Sequence, residues 1–231
     1  MKTKFSTVLI ILLFLMGATV QAQNSETRTP GSFTKVESGG NWDVYVTLGS
    51  KDEVRLESKG FDLDKVITEV KGDKLKIHLE KGKHRNVNIT AYVTVRELEA
   101  LGGSGSGSIY VESDVESNNF SIGQSGSGSI ELQNLETGKL SVGMSGSGLV
   151  SIEGGSANSV DIGQSGSADF KAIDLTAGSV KVGKSGSGDV HIGVEDELVV
   201  ASSGSGDVYV KGNPKNQKIS SSGSSQVIIK N

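Results

Sequence analysis

The tetrapeptide SGSG, or a one-letter variant of it, begins at Ser104, Ser125, Ser145, Ser165, Ser185, Ser203 and Ser222, at spacings of 21, 20, 20, 20, 18 and 19 residues. A flexible linker has no reason to keep such a period, whereas a repeated structural unit does. Two residues past each tract's last position stand Ile109, Ile130, Val150, Phe170, Val190, Val208 and Val227, and two further on stand Val111, Leu132, Ile152, Ala172, Ile192, Val210 and Ile229. Both columns are apolar, and the mostly polar residue between them faces out, as strand alternation requires. A third apolar column, Leu101, Ile122, Val142, Ile162, Val182, Val200 and Ile219, precedes each tract by three residues. Each period therefore supplies a strand on either side of a Gly-Ser corner. A unit this short buries nothing alone. The pattern predicts an all-β chain wound as a parallel β-helix (β-solenoid), with coils of about 20 residues stacked about 4.8 Å apart.

Regular repeats occupy 101–231, and 32–100 keep looser time. "SGGNWDVYV" from Ser38 still resembles "SGSGDVYV" from Ser203, with Trp42 inserted, and wider-spaced strands follow. Irregular coils or a capping β-module of the solenoid are expected there, since terminal repeats are usually atypical. Residues 23–31 read as a flexible N-terminal segment. Residues 1–22 carry Lys2 and Lys4, the apolar run "VLIILLFLM" and the small-residue pair Val20 and Ala22. That is the signature of a signal peptide cleaved after Ala22, and its apolar run is shorter than a spanning helix needs. No transmembrane segment is expected after cleavage. With no cysteine, neither a disulfide nor a lipidated thiol can form; losing the leader takes the net charge from −4 to −6. Nucleic acid is not an expected partner of so acidic a chain.

Few residues carry chemistry. "GSVKVGKS", from Gly178 to Ser185, spells a nucleotide-binding P-loop. The repeat makes it a strand and a corner, with no helix to receive phosphate. The residue after each tract reads Ser108, Ser129, Leu149, Asp169, Asp189, Asp207 and Gln226, so three consecutive coils stack carboxylates. Asp169, Asp189 and Asp207 are thus candidate calcium ligands. The alternative is a solvated column relieved by Lys171, Lys181 and Lys184 or by hydrogen bonds at the corners. His78, His84 and His191 show no ligand spacing, and no serine stands in a strand-to-helix nucleophile elbow. Tyr110 and Tyr209, outward on their strands, and Trp42 are the candidate ligand-binding aromatics.

The leader, "WDVYVTLG" with its lead "FTKV" from Phe33, "LKIHLE", and the serial GSGS-[IV]-x-[VLI] turns together resemble the autotransporter-adhesin head GIN domain family of Bacteroidetes, over roughly Ser32 to Lys230. The resemblance implies a right-handed β-helix, exported to the periplasm, the outer-membrane surface or the medium, with a role in adhesion. It implies no catalytic residues. The expected function is a non-catalytic binding or scaffold module with a glycan or extracellular-matrix protein as partner, able to form homo-oligomers through open solenoid ends. The competing expectation, by fold analogy, is a β-helix polysaccharide lyase or hydrolase using the Asp column with calcium and Lys171 as base.

Overall fold

A computed structural model describes residues 23–231; the expected signal peptide lies outside them. The chain is a stack of parallel coils closed at one end by antiparallel strands. Strands β1 (Gln23–Arg28), β2 (Lys35–Ser38), β3 (Asp43–Leu48), β4 (Glu53–Lys59), β5 (Val66–Lys71), β6 (Lys74–Leu79) and β7 (Ile89–Val95) form the N-terminal third. The regular part comprises β8 (Ala100–Gly103), β9 (Ile109–Val111), β10 (Val115–Gln124), β11 (Ser129–Gly146), β12 (Leu149–Gly166), β13 (Asp169–Gly186), β14 (Val190–Gly204), β15 (Val208–Lys211), β16 (Asn216–Gly223) and β17 (Val227–Lys230).

The columns read from the sequence are the register of this stack. Ile130 pairs in parallel with Ile109 and Val150, Val150 with Phe170, Phe170 with Val190, Val190 with Val208 and Val208 with Val227. From Ile109 to Val208 this column is at most 1% exposed. Each coil has three strips: one before the corner, one after it, and a third around Leu135, which pairs with Val115 and Gly155. The coil between Ser185 and Ser203, two residues shorter than the one before it, loses them in this third strip, where the β13–β14 register shifts.

Glycine is required at the corners for two reasons. Gly146 sits at φ +126°, a region that side-chain-bearing residues avoid, and a Cβ on Gly128 would overlap the carbonyl oxygen of Gly107 in the coil below.

The N-terminal third joins both expected arrangements, coils and cap. β2 lies in parallel between β6 and β8, and β3 between β7 and β9. The coil β6–β7 is thus outermost although it comes later in the chain. β5 then covers β6, β4 covers β7 and β1 covers β4, all antiparallel. Reversing direction at the edge interrupts the parallel template that would otherwise be left open.

Two expectations are corrected here. Within the segment expected to be flexible, Gln23–Arg28 is a strand, registered from Gln23↔Lys59 to Arg28↔Val54. The edge of β4 receives it, and Arg28, its guanidinium oriented by Glu26 in the same strand, ties it down by donating to the carbonyl of Leu63 at 2.8 Å. Trp42 is not a surface aromatic. It is 4% exposed and packs over Gly40, where any Cβ would overlap its ring, so it plugs the first corner from inside.

Candidate functional site

The strip after the corner turns one unbroken column outward. β3, β7 and β9 place Tyr92 beside Tyr45 and Tyr45 beside Tyr110. The rings stack with centroids 5.4 and 5.2 Å apart and planes inclined by 19° and 22°. Arg55 on β4 closes one end, its guanidinium carbon 3.9 Å from the Tyr92 centroid, and Glu57 holds it there by an ion pair. The guanidinium is thus fixed by both a cation–π contact and a carboxylate. Beyond Tyr110 the column continues through Glu131, Ser151 and Lys171 to His191 and Tyr209. These last two rings stack at 4.5 Å with planes inclined by 14°.

Carboxylates border both aromatic groups. Burial pushes the Tyr45 phenol pKa up, helped by Asp43, the neighbouring phenols and Glu112. Burial also raises that of Tyr209, followed by Asp207 and Asp189, and the Tyr209 hydroxyl donates to Asp207 Oδ2 at 3.3 Å. Both tyrosines are therefore neutral donors under ordinary conditions. The structure thus joins Tyr110 to Tyr45 and Tyr92, which the sequence reading did not single out, and sets Tyr209 in a second group on the same line.

The aspartate column has a structural task. Asp169 Oδ1 accepts the backbone N–H of Asp189 at 2.9 Å, Asp189 Oδ1 that of Asp207 at 2.8 Å, and Asp207 Oδ1 that of Gln226 at 2.9 Å. Asp43 Oδ1 does the same for Ser108 at 3.1 Å, and Ser108 Oγ for Ser129 at 3.3 Å. Each side chain satisfies a corner amide of the next coil, and a charge-assisted bond of this kind relieves the like-charge repulsion. Among the described residues, no group of three His, Cys, Asp or Glu is placed to hold a metal ion.

Lys184 is not one of the surface lysines it was grouped with. It is 4% exposed, points inside the corner and donates from Nζ to the carbonyl of Gly206 at 2.5 Å. Burial lowers its pKa, while Asp189 and Asp207 pull it back up. Gln124 does the same work in its own corner, donating from Nε2 to Gly128 at 2.6 Å, and Gln164 donates likewise to Ala168. The P-loop spelling from Gly178 to Ser185 lies within β13, in strand and corner.

The strip before the corner carries a different surface. Gly123 and Gly143 face out at ordinary strand φ, and a Cβ on either would meet nothing within 4 Å. With Gly163 and Gly183 they floor a shallow trough of about 580 Å³, edged by Ser121, Ser141, Asp161 and Lys181.

A family model described as "Putative auto-transporter adhesin, head GIN domain" matches residues 32–214. No protein of curated function matches the sequence. Among solved structures, a putative adhesin from Bacteroides fragilis superposes with a TM-score of 0.85 at 21% identity, covering 90% of this chain and 97% of its own. A putative adhesin from Parabacteroides merdae gives 0.70 at 17% identity, covering 90% and 96%. A putative lipid binding protein from Parabacteroides distasonis gives 0.64 at 21% identity, covering 89% and 96%. At these identities the likeness is one of fold.

Proposed function

The chain belongs to the auto-transporter adhesin head GIN domain family, and from that premise we propose that it is an exported surface module that binds a glycan or an extracellular-matrix protein and catalyses no reaction. The observation that carries this reading is the outward column from Arg55 through Tyr92, Tyr45 and Tyr110 to Tyr209. Stacked tyrosines offer large amphipathic contact area with few rotors to freeze. They stand on a sheet whose strands are hydrogen-bonded on both edges, so little ordering cost remains when a partner lands.

The lyase or hydrolase reading asks Asp169, Asp189 and Asp207 to gather a cation and Lys171 to act as base. One oxygen of each carboxylate already serves a backbone amide, and the column runs along a flat face. The geometry therefore favours binding over turnover.

The test is to apply the chain from Gln23 to Asn231 to arrays of glycans and matrix proteins, with and without calcium. Saturable binding that is lost in Tyr45→Thr, and that is indifferent to calcium, is the expected result. Silence across both arrays, or binding that Tyr45→Thr leaves intact, counts against this face.

A further inference from the structure

The two aromatic groups lie on one line. From Tyr110 to His191 the register advances by four coils, through Glu131, Ser151 and Lys171, which is about 19 Å at the spacing of paired strands. Each group is bordered by two carboxylates: Asp43 and Glu112 beside Tyr45, and Asp189 and Asp207 beside Tyr209. The stretch between them is close to neutral, with Glu131 and Lys171 offsetting each other.

A ligand that fits this face has to be long, flat and positively charged at intervals. An extended peptide is a poor match, because a peptide read by a sheet needs a free strand edge or side-chain pockets. Here β3, β9 and β11 are paired on both sides, and the trough lies on the other strip. A sugar ring has an apolar C–H face to set against ring edges and hydroxyls to meet the phenols. An ammonium substituent adds attraction to the carboxylates.

We propose that this face holds a linear polysaccharide bearing amino groups, laid along the solenoid axis across both aromatic groups. The proposal rests on the surface-binding reading above and specifies its ligand. Two sites joined by one chain raise the affinity once the chain is long enough to reach both.

The test uses the chain from Gln23 to Asn231 and β-1,4-linked glucosamine oligomers from disaccharide to octasaccharide, beside their N-acetylated forms and uronic-acid oligomers of equal length. Affinity should rise with length until both groups are spanned, then level off, and should fall as salt is raised. Tyr45→Thr and Tyr209→Thr should each weaken the long oligomers about tenfold, as loss of an anchoring aromatic does. Asp207→Asn keeps an oxygen for the Gln226 amide while removing the charge, so it should weaken binding without unfolding the corner. Tyr45→Phe, which keeps the ring, and a melting curve for each variant separate lost contact from lost fold.

Equal binding of the N-acetylated or uronic-acid forms, or affinity independent of length, overturns the proposal. If no oligomer binds but a matrix protein does and loses its hold in Tyr45→Thr, the polysaccharide falls and the surface-binding reading stands. If Tyr45→Thr changes nothing on any probe, both fall.

Discussion

Lys184 shows how much a single side chain can be misplaced by its chemistry and correctly placed by its parity. It stands two residues after the inward Val182, so alternation along the strand already puts it inside, in the column held by Gln124, Met144 and Gln164. A charged residue on such a column is readily taken for a surface group, because a lysine is almost never fully buried without a partner. Its partner here is one carbonyl, that of Gly206. Replacing it by the residue the column uses two coils earlier, in Lys184→Met, should stabilise the fold by about 1 kcal/mol at neutral pH, since removing a buried charge outweighs one lost hydrogen bond. The sign of the pH dependence follows from the lowered pKa. Between the folded and unfolded pKa values the unfolded chain binds more protons, so the wild type gains stability as pH rises there. The advantage of Lys184→Met, read as a melting-temperature difference of roughly 2–4 °C at pH 7, should therefore shrink as the pH approaches the ordinary lysine range. The neighbouring ladder allows a second comparison. Asp189→Asn keeps an acceptor for the Asp207 amide and should melt close to wild type, whereas Asp189→Ala orphans that amide and should lose about 1–2 kcal/mol.

At the scale of elements, the regular coils were legible because their period, alternation and corner chemistry agree, from Leu101 and Ile109 onward. The tyrosine ladder was half legible. The likeness of "SGGNWDVYV" to the later corners aligns Tyr45 with the outward residue after each tract, the column of Tyr110 and Tyr209. Tyr92 was hidden because β7 reaches that column only after the chain has left the stack through β4 and β5 and re-entered it at β6, beside β2, on the far side of β3. No local pattern encodes such a detour. β1 was missed for a related reason: "QNSETR" lacks apolar alternation, and the strand exists because the edge of β4 receives it. Its value is then as a cover. Removing residues 23–28 should leave β4 as an exposed edge with unpaired backbone groups. The expected outcome is concentration-dependent association, visible by light scattering, with the far-ultraviolet strand signal retained. A truncated chain that stays monomeric across the same concentrations would show that β1 has no protective role.

At the scale of the whole molecule, a stack whose coils touch only their neighbours distributes its stability along one axis. The middle of that axis is closed on every side: Phe170, Val190 and Leu198 are completely buried, and β12 and β13 each pair along nearly their full length with the coils before and after. The two ends are unlike. Towards the N-terminus, β6 and β7 are covered by antiparallel strands before solvent is reached. Towards the C-terminus, β16 pairs with β14 and β17 with β15, all eight residues of β16 are exposed, and Ile219 is 42% exposed where its counterpart one coil earlier, Val200, is 1% exposed. Opening the last coil breaks one interface, whereas opening a middle coil breaks two, so local unfolding should begin at β16 and β17 and move inward. Native-state hydrogen exchange should find the amides of β16 and β17 fastest, those of β14 and β15 intermediate, and those of β12 and β13 slowest, with β6 and β7 slower than β16 because their cover must dissolve first. Uniform exchange throughout, at the rate of global unfolding, would instead mean that the corner ladder of Asp169, Asp189 and Asp207 binds the terminal coils into one cooperative unit. Asp207→Ala distinguishes the two cases, since in a graded stack it accelerates exchange only from β15 onward and in a cooperative one it accelerates exchange everywhere.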